Sequence, residues 1–232
     1  MPLADEILQK LKAKARPDQL EGMARFAIAG EGRLGVSVPE IRKIAKYAGK
    51  NHGLALELWN SEIPDARIVA GLVGEPDKLT EKQMEDWAKD FDSWDVCDQV
   101  CMNLFDRSPL AMKKIHDWAD REEEFVKRAA FALIASLSIH DKKAEDEKFT
   151  RLFPVIKDGA ADERNFVKKA VNWALRSIGK RNPALNKAAI KLAQEIKEMD
   201  SKSARWIAND ALRELEGDTI QQRLRRKFGD GP

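Results

Sequence analysis

Two stretches of this chain lie over each other without a gap. FVKRAAFALIASL (residues 125–137) and FVKKAVNWALRSI (166–178) align at an offset of 41 residues. ARWIANDALREL (204–215) joins them at an offset of 37 through a shared N-x-A-L-R, and DARIVAGLVG (65–74) opens with the same acid–basic–apolar order. In each stretch the apolar positions recur at helical spacing, which predicts amphipathic helices. A short helical unit of this kind cannot bury its apolar face alone. Stacked neighbours share a continuous core and curve into a superhelix with a concave surface.

Offsets near 40 fall close to the range of about 40–47 residues found in HEAT and armadillo repeats. The rest of the chain reads the same way. PLADEILQKLKAKA puts Leu3, Ile7, Leu8 and Leu11 on one stripe, and SVPEIRKIAKYAGK opens with Ser37 and Pro39 and closes at Gly49. Thr80 stands three residues before Gln83 as in a capping box, and Asn182–Pro183 opens a further helix. Gly (13) and Pro (9) are sparse, and no long segment alternates with period two. The expected fold is therefore all-α: a HEAT-like or armadillo-type helical-repeat superhelix, an α-α solenoid with a concave groove. The expected layout is one repeat domain over residues 1–217 and a basic, flexible tail over 218–232.

Net charge is only +2, but its distribution is uneven. Residues 161–232 carry 16 Lys+Arg against 10 Asp+Glu, and residues 1–160 carry 25 against 29. A basic C-terminal third either faces a polyanion or is a solvated helical surface. The longest apolar run, AAFALIA at 129–135, is far short of the ~20 residues of a membrane span. The first residues also lack the apolar core of a secretory signal, so a soluble, cytoplasmic protein is expected. Cys97 and Cys101 have no second cysteine pair, and His52, His116 and His140 are scattered. These cysteines read as small buried hydrophobes in a reducing compartment, and neither a metal nor a cofactor is expected.

The stretch DSWDVCDQVC (92–101) carries the densest chemistry. On a helical wheel Val96, Cys97, Val100, Cys101 and Leu104 form an apolar arc, with Asp92 or Ser93 as cap and Asp95, Gln99 and Asn103 opposite. Trp94 and Asp98 are neighbours at i and i+4 on one edge of the arc. Asp98 is then either a half-buried carboxylate bound to an arginine of the next repeat or an anion aimed at positive charge in the groove. Arg128 lies in a small-residue face and needs an anionic partner, for which Asp98 and a phosphate both qualify. Trp173 sits off the core arc of Val167, Ala170, Val171, Ala174 and Ile178, flanked by Lys169 and Arg176. It suits either a nucleic-acid contact or the cover of an inter-repeat seam.

Taken together, GVSVPEIRKIAK, ALELWNSEIPDAR, SWDVCD, FVKRAAFA and FVKKAVNWALRSIGK, in this order, resemble the bacterial DNA alkylation repair enzymes of the AlkD type, DNA glycosylases built from HEAT-like repeats. The resemblance runs from about residue 30 to about 215, and its most specific part is the combination of W-D-x-x-D, a later K-R-x-A and K-K-A-x-x-W-A-L-R. It implies a site lined by Trp94, Asp98, Arg128 and Trp173, with Lys168, Lys169 and Arg176 near the DNA backbone; Lys127 and Arg205 are further DNA-binding candidates. It also implies excision of cationic purines, of the 3-methyladenine and 7-methylguanine type, from duplex DNA that stays stacked; a monomer is expected. Ser93 and Asn165 stand where the family often carries aromatics, which narrows the implied substrate range. Two other readings compete: a HEAT-repeat protein that binds damaged or branched DNA without catalysis, and a scaffold whose concave face holds an acidic peptide.

Overall fold

A computed structural model of the chain describes residues 3–28 and 32–229. Most of these residues are helical, and none is in a strand. They divide into two compact units, Met1–Met112 and Lys113–Pro232, where the sequence suggests one repeat domain reaching residue 217.

The first unit holds α1 (Leu3–Ala13), α2 (Pro17–Arg25), α3 (Val38–Ala48), α4 (His52–Trp59), α5 (Pro64–Val73), α6 (Glu81–Lys89) and α7 (Trp94–Asn103). The sequence signals place several of these ends. Thr80 Oγ1 accepts from the Gln83 amide at 3.1 Å to cap α6, and α3 stops at Gly49, whose φ of 70° suits glycine. α5 is the centre of the unit, packed on α3, α4 and α7. Gly71 permits its close approach to α7: a Cβ there would lie 3.1–3.2 Å from Val100. Val96, Cys97, Val100 and Cys101 of α7 are buried in that contact. Asp65, fully buried at the start of α5, accepts from the amides of Leu34 and Val36 at 2.8 Å each, which fixes the segment leading into α3. Trp59 and Trp87 stack in parallel, with centroids 3.9 Å apart.

The second unit takes in most of α8 (Ala111–Ala119), then α9 (Glu124–His140), α10 (Asp146–Thr150), α11 (Phe153–Gly159), α12 (Asn165–Gly179), α13 (Pro183–Lys197), α14 (Lys202–Leu215) and α15 (Asp218–Phe228). The sequence repeats become a stack in which α12 packs on α9 to one side and α14 to the other. Phe125 and Phe166, equivalent at the 41-residue offset, meet with ring centroids 5.2 Å apart. Val167, Val171, Leu175 and Ile178 of α12 are fully buried, each worth roughly 1.5–3 kcal/mol relative to exposure. Asn182 caps α13 by accepting from Leu185 N at 2.8 Å.

The C-terminal segment departs from expectation. Residues 218–228 form α15 instead of a flexible tail, because Ile220 and Leu224 recur at i and i+4 and bury themselves against the preceding helices. Residues 230–232 of the expected tail lie outside the described residues.

Candidate nucleic-acid interface

In the first unit, Trp94 opens α7 and Asp98 follows one turn later, both half-buried beside a fully buried cysteine face. The Trp94 Nε1–H donates to the carbonyl of Phe26 at 3.0 Å, so the indole edge is held while part of the ring stays exposed. Ser93 takes the N-cap position without capping: its hydroxyl bonds Asp95 instead. Asp95, expected on the solvent side, receives a two-pronged ion pair from Arg33 at 2.8 and 2.9 Å, with only 4% of the Arg33 side chain exposed. This brace ties the start of α7 to the segment before α3 and thereby positions Trp94. Burial pushes the Cys101 thiol well up from its ordinary pKa, and neighbouring Cys97 and the Asp98 charge push it further.

In the second unit, Arg128 is buried in α9, as its small-residue face predicts, and its Nη1 donates to the carbonyl of Phe166 at 2.7 Å in the first turn of α12. Trp173 is half-buried on α12 and lines a cavity. The lysines and arginines read as DNA ligands separate into two groups. Lys169 and Arg205 are exposed, and Lys169 makes no ion pair among the described residues. Lys168 is half-buried, with its ammonium 5.1 Å from the Trp206 ring centroid. Lys127 and Arg176 are engaged within the fold. Lys127 pairs with Asp162 at 3.2 Å, and Arg176 pairs with Glu214 at 2.5 Å and with Asp210 at 3.5 Å. Their charges join successive repeats. Burial raises the Asp162 pKa, but Arg164 and Lys127 outweigh it and hold the carboxyl down at about 2. Glu214 is likewise opposed by burial and held below its ordinary range by Lys180 and Arg176.

Arg33 and Glu214 escape a reading by local spacing, since their partners lie on other elements, and so does the pairing of Asp162 with Lys127. Among the described residues no group of three or more His, Cys, Asp or Glu side chains converges to hold a metal ion. No helix among them is long and apolar enough to cross a membrane.

A family model described as DNA alkylation repair enzyme matches residues 7–215. No curated protein gives a significant match. One solved structure superposes with a TM-score of 0.78 at 20% identity, covering 95% of each chain; it is described as a new family of proteins related to the HEAT-like repeat DNA glycosylases with affinity for branched DNA structures. A designed armadillo repeat protein superposes more loosely, with a TM-score of 0.40 at 16% identity over 90% of this chain and 98% of that one. The first likeness establishes the HEAT-like repeat fold.

Proposed function

Because the chain belongs to the DNA alkylation repair enzyme family, we propose that it binds duplex DNA and excises cationic alkylated purines, of the N3-methyladenine and N7-methylguanine type. The observation that carries this reading is the pairing of Trp94 and Asp98: a half-buried indole and a carboxylate one turn apart, on a helix end braced by Arg33.

The chemistry asks little of the base. Methylation at N3 of adenine or N7 of guanine makes it cationic, so it departs as a neutral molecule, taking the electron pair of the glycosidic bond. Positive charge then develops on the deoxyribose. A carboxylate about 4 Å from that charge is worth about 4 kcal/mol at an effective dielectric near 20. That energy is roughly a thousandfold in rate. Asp98 takes this role and accepts a proton from the water that adds at C1′. Trp94 packs against the sugar beside Asp98, where its π face favours a cation, and in the second unit Trp173 offers a ring to the DNA backbone. Arg128 orders the α9–α12 contact behind Trp173. Lys168, Lys169 and Arg205 supply sequence-independent phosphate contacts.

The test is base release from duplex DNA carrying one N7-methylguanine. Wild type releases the base, and Asp98→Asn loses about a thousandfold in rate while keeping duplex affinity. Absence of release above the spontaneous rate, with duplex binding intact, turns the assignment to a second reading: a DNA-binding protein for branched or damaged DNA without catalysis. Two observations favour that alternative. The structural relative is described by its affinity for branched DNA, and Ser93 and Asn165 stand where the resemblance leads one to expect aromatics.

A further inference from the structure

α15 lies beyond residue 215, where the family match ends, and it forms the wall of a cavity. Besides burying Ile220 and Leu224, it is fastened by polar contacts. Gln221 Nε2 donates to Asn186 Oδ1 at 3.0 Å and to the Leu215 carbonyl at 2.6 Å, and Arg223 Nη2 donates to the Lys180 carbonyl at 3.0 Å. The open cleft measures about 710 Å³ and lies wholly within the second unit, against the C-terminal parts of α9 and α12.

Its lining combines apolar faces with uncompensated positive charge. Trp173, Ile139 and Phe228 supply the apolar part, and Ile139 and Phe228 remain 42% and 45% exposed. Five cations line it against two acids, Asp146 and Glu214. Both acids are already engaged: Asp146 accepts from Asn182 at 2.8 Å, and Glu214 accepts from Lys180 at 2.8 Å. Arg181 is used up on the carbonyls of Ser138 and Asp141, at 2.6 and 2.9 Å. Lys142, Arg223 and Lys227 are left without an ion pair among the described residues, and the Lys227 ammonium sits 4.9 Å from the Phe228 ring centroid.

Cations beside exposed ring faces suit a single nucleic-acid strand: the base stacks on a ring and the phosphate meets the charges. The volume is that of a small-molecule site, about 300–1,000 Å³, which admits one or two nucleotides and no duplex. We infer that this cavity holds an unpaired nucleotide of a DNA strand, with Phe228 stacking on the base and Lys142, Arg223 and Lys227 taking the phosphate. The inference rests on the DNA-binding reading above and extends it from Trp173 into an adjoining strand-reading cleft.

The test compares a blunt duplex with the same duplex carrying an oligothymidine overhang, using wild type, Phe228→Ala, Arg223→Ala/Lys227→Ala and Lys142→Glu. Wild type is expected to bind the overhang substrate about tenfold more tightly. Each variant loses that preference and keeps blunt-duplex affinity within about twofold, and the salt dependence of the extra affinity flattens. Lys142→Glu lies on a different element from α15, so it tests the site even where an α15 substitution disturbs the helix. Equal wild-type affinity for both substrates, with duplex binding retained, overturns the inference and leaves the proposed function standing. So does an overhang preference that all three variants retain. Failure of wild type to bind either DNA overturns the proposed function itself. Displacement of the overhang by equimolar thymidine monophosphate assigns the cavity to a free nucleotide and overturns the strand reading.

Discussion

Gly159→Ala is a change of one methyl group with an outcome fixed by geometry. Gly159 ends α11 against the ring of Phe131, a fully buried residue of α9. A Cβ at residue 159 would overlap Phe131 Cζ and stand 2.8 Å from Cε1 and 3.1 Å from Cε2. The ring is closed in on every side, so the added carbon must displace packed atoms. Overpacking of this kind costs about 1–3 kcal/mol. The backbone effect runs the other way: alanine narrows the unfolded ensemble and stabilises by about 0.4–1 kcal/mol where the conformation allows it. Packing wins, leaving a net loss of about 1–2 kcal/mol, or roughly 2–8 °C in Tm for a chain of this size. Urea titration with an unchanged m-value reads the loss directly. Phe131→Leu supplies the control. It lowers stability by itself, but it vacates the space, so Gly159→Ala added to it becomes neutral or stabilising, with a coupling energy of about 2 kcal/mol. An additive pair, or a single Gly159→Ala that raises the midpoint, refutes the claim that the ring fills this space.

Asp162→Asn is expected to cost about 1 kcal/mol near neutral pH after allowance for solvent screening. Its folded pKa of about 2 is depressed, so the stabilisation is complete above the unfolded value and disappears as pH falls toward 2. Wild-type and variant denaturation midpoints should therefore converge between about pH 4 and pH 2, and a gap that persists at pH 2 contradicts this. Asp95→Ala should cost about 3 kcal/mol in urea unfolding, whereas Asp95→Ala with Arg33→Met recovers most of that loss; equal losses would mean the ion pair does not brace α7. Thr80→Ala should cost about 1 kcal/mol through the lost α6 cap, and Thr80→Ser should cost little, by the same titration.

The helical stack was legible because its cause is periodic. The 41-residue offset that matches Phe125 to Phe166 in sequence is the one that brings their rings together. The core stripe of α12 followed from the same periodicity, and so did the burial of Arg128 among alanines. What escaped has no local signature. Arg33 and Asp95 are 62 residues apart, and the chain between them contains several helices. The ion pairs of Lys127 with Asp162 and of Arg176 with Glu214 join different elements, which the periodicity of one helix does not report. Arg181 and Arg223 each donate to a carbonyl 43 residues back, Ser138 and Lys180, and a backbone acceptor leaves no trace in residue type. The tail misled for a related reason: its run of charge is conspicuous, but Ile220 and Leu224 suffice to dock a helix of that length.

The cysteine pair of α7 has a consequence for the protein's own chemical survival. A member of a DNA alkylation repair family meets the electrophiles that damage DNA, and thiolates capture such electrophiles readily. Cys97 and Cys101 are the only two cysteines in the sequence, and both are 0% exposed. Burial, together with the negative charge of Asp98, keeps the Cys101 thiol protonated. The carboxylate proposed to stabilise a cationic sugar thus also disfavours a second anion one turn away. The chain can persist through alkylating exposure with neither thiol offered as a competing nucleophile.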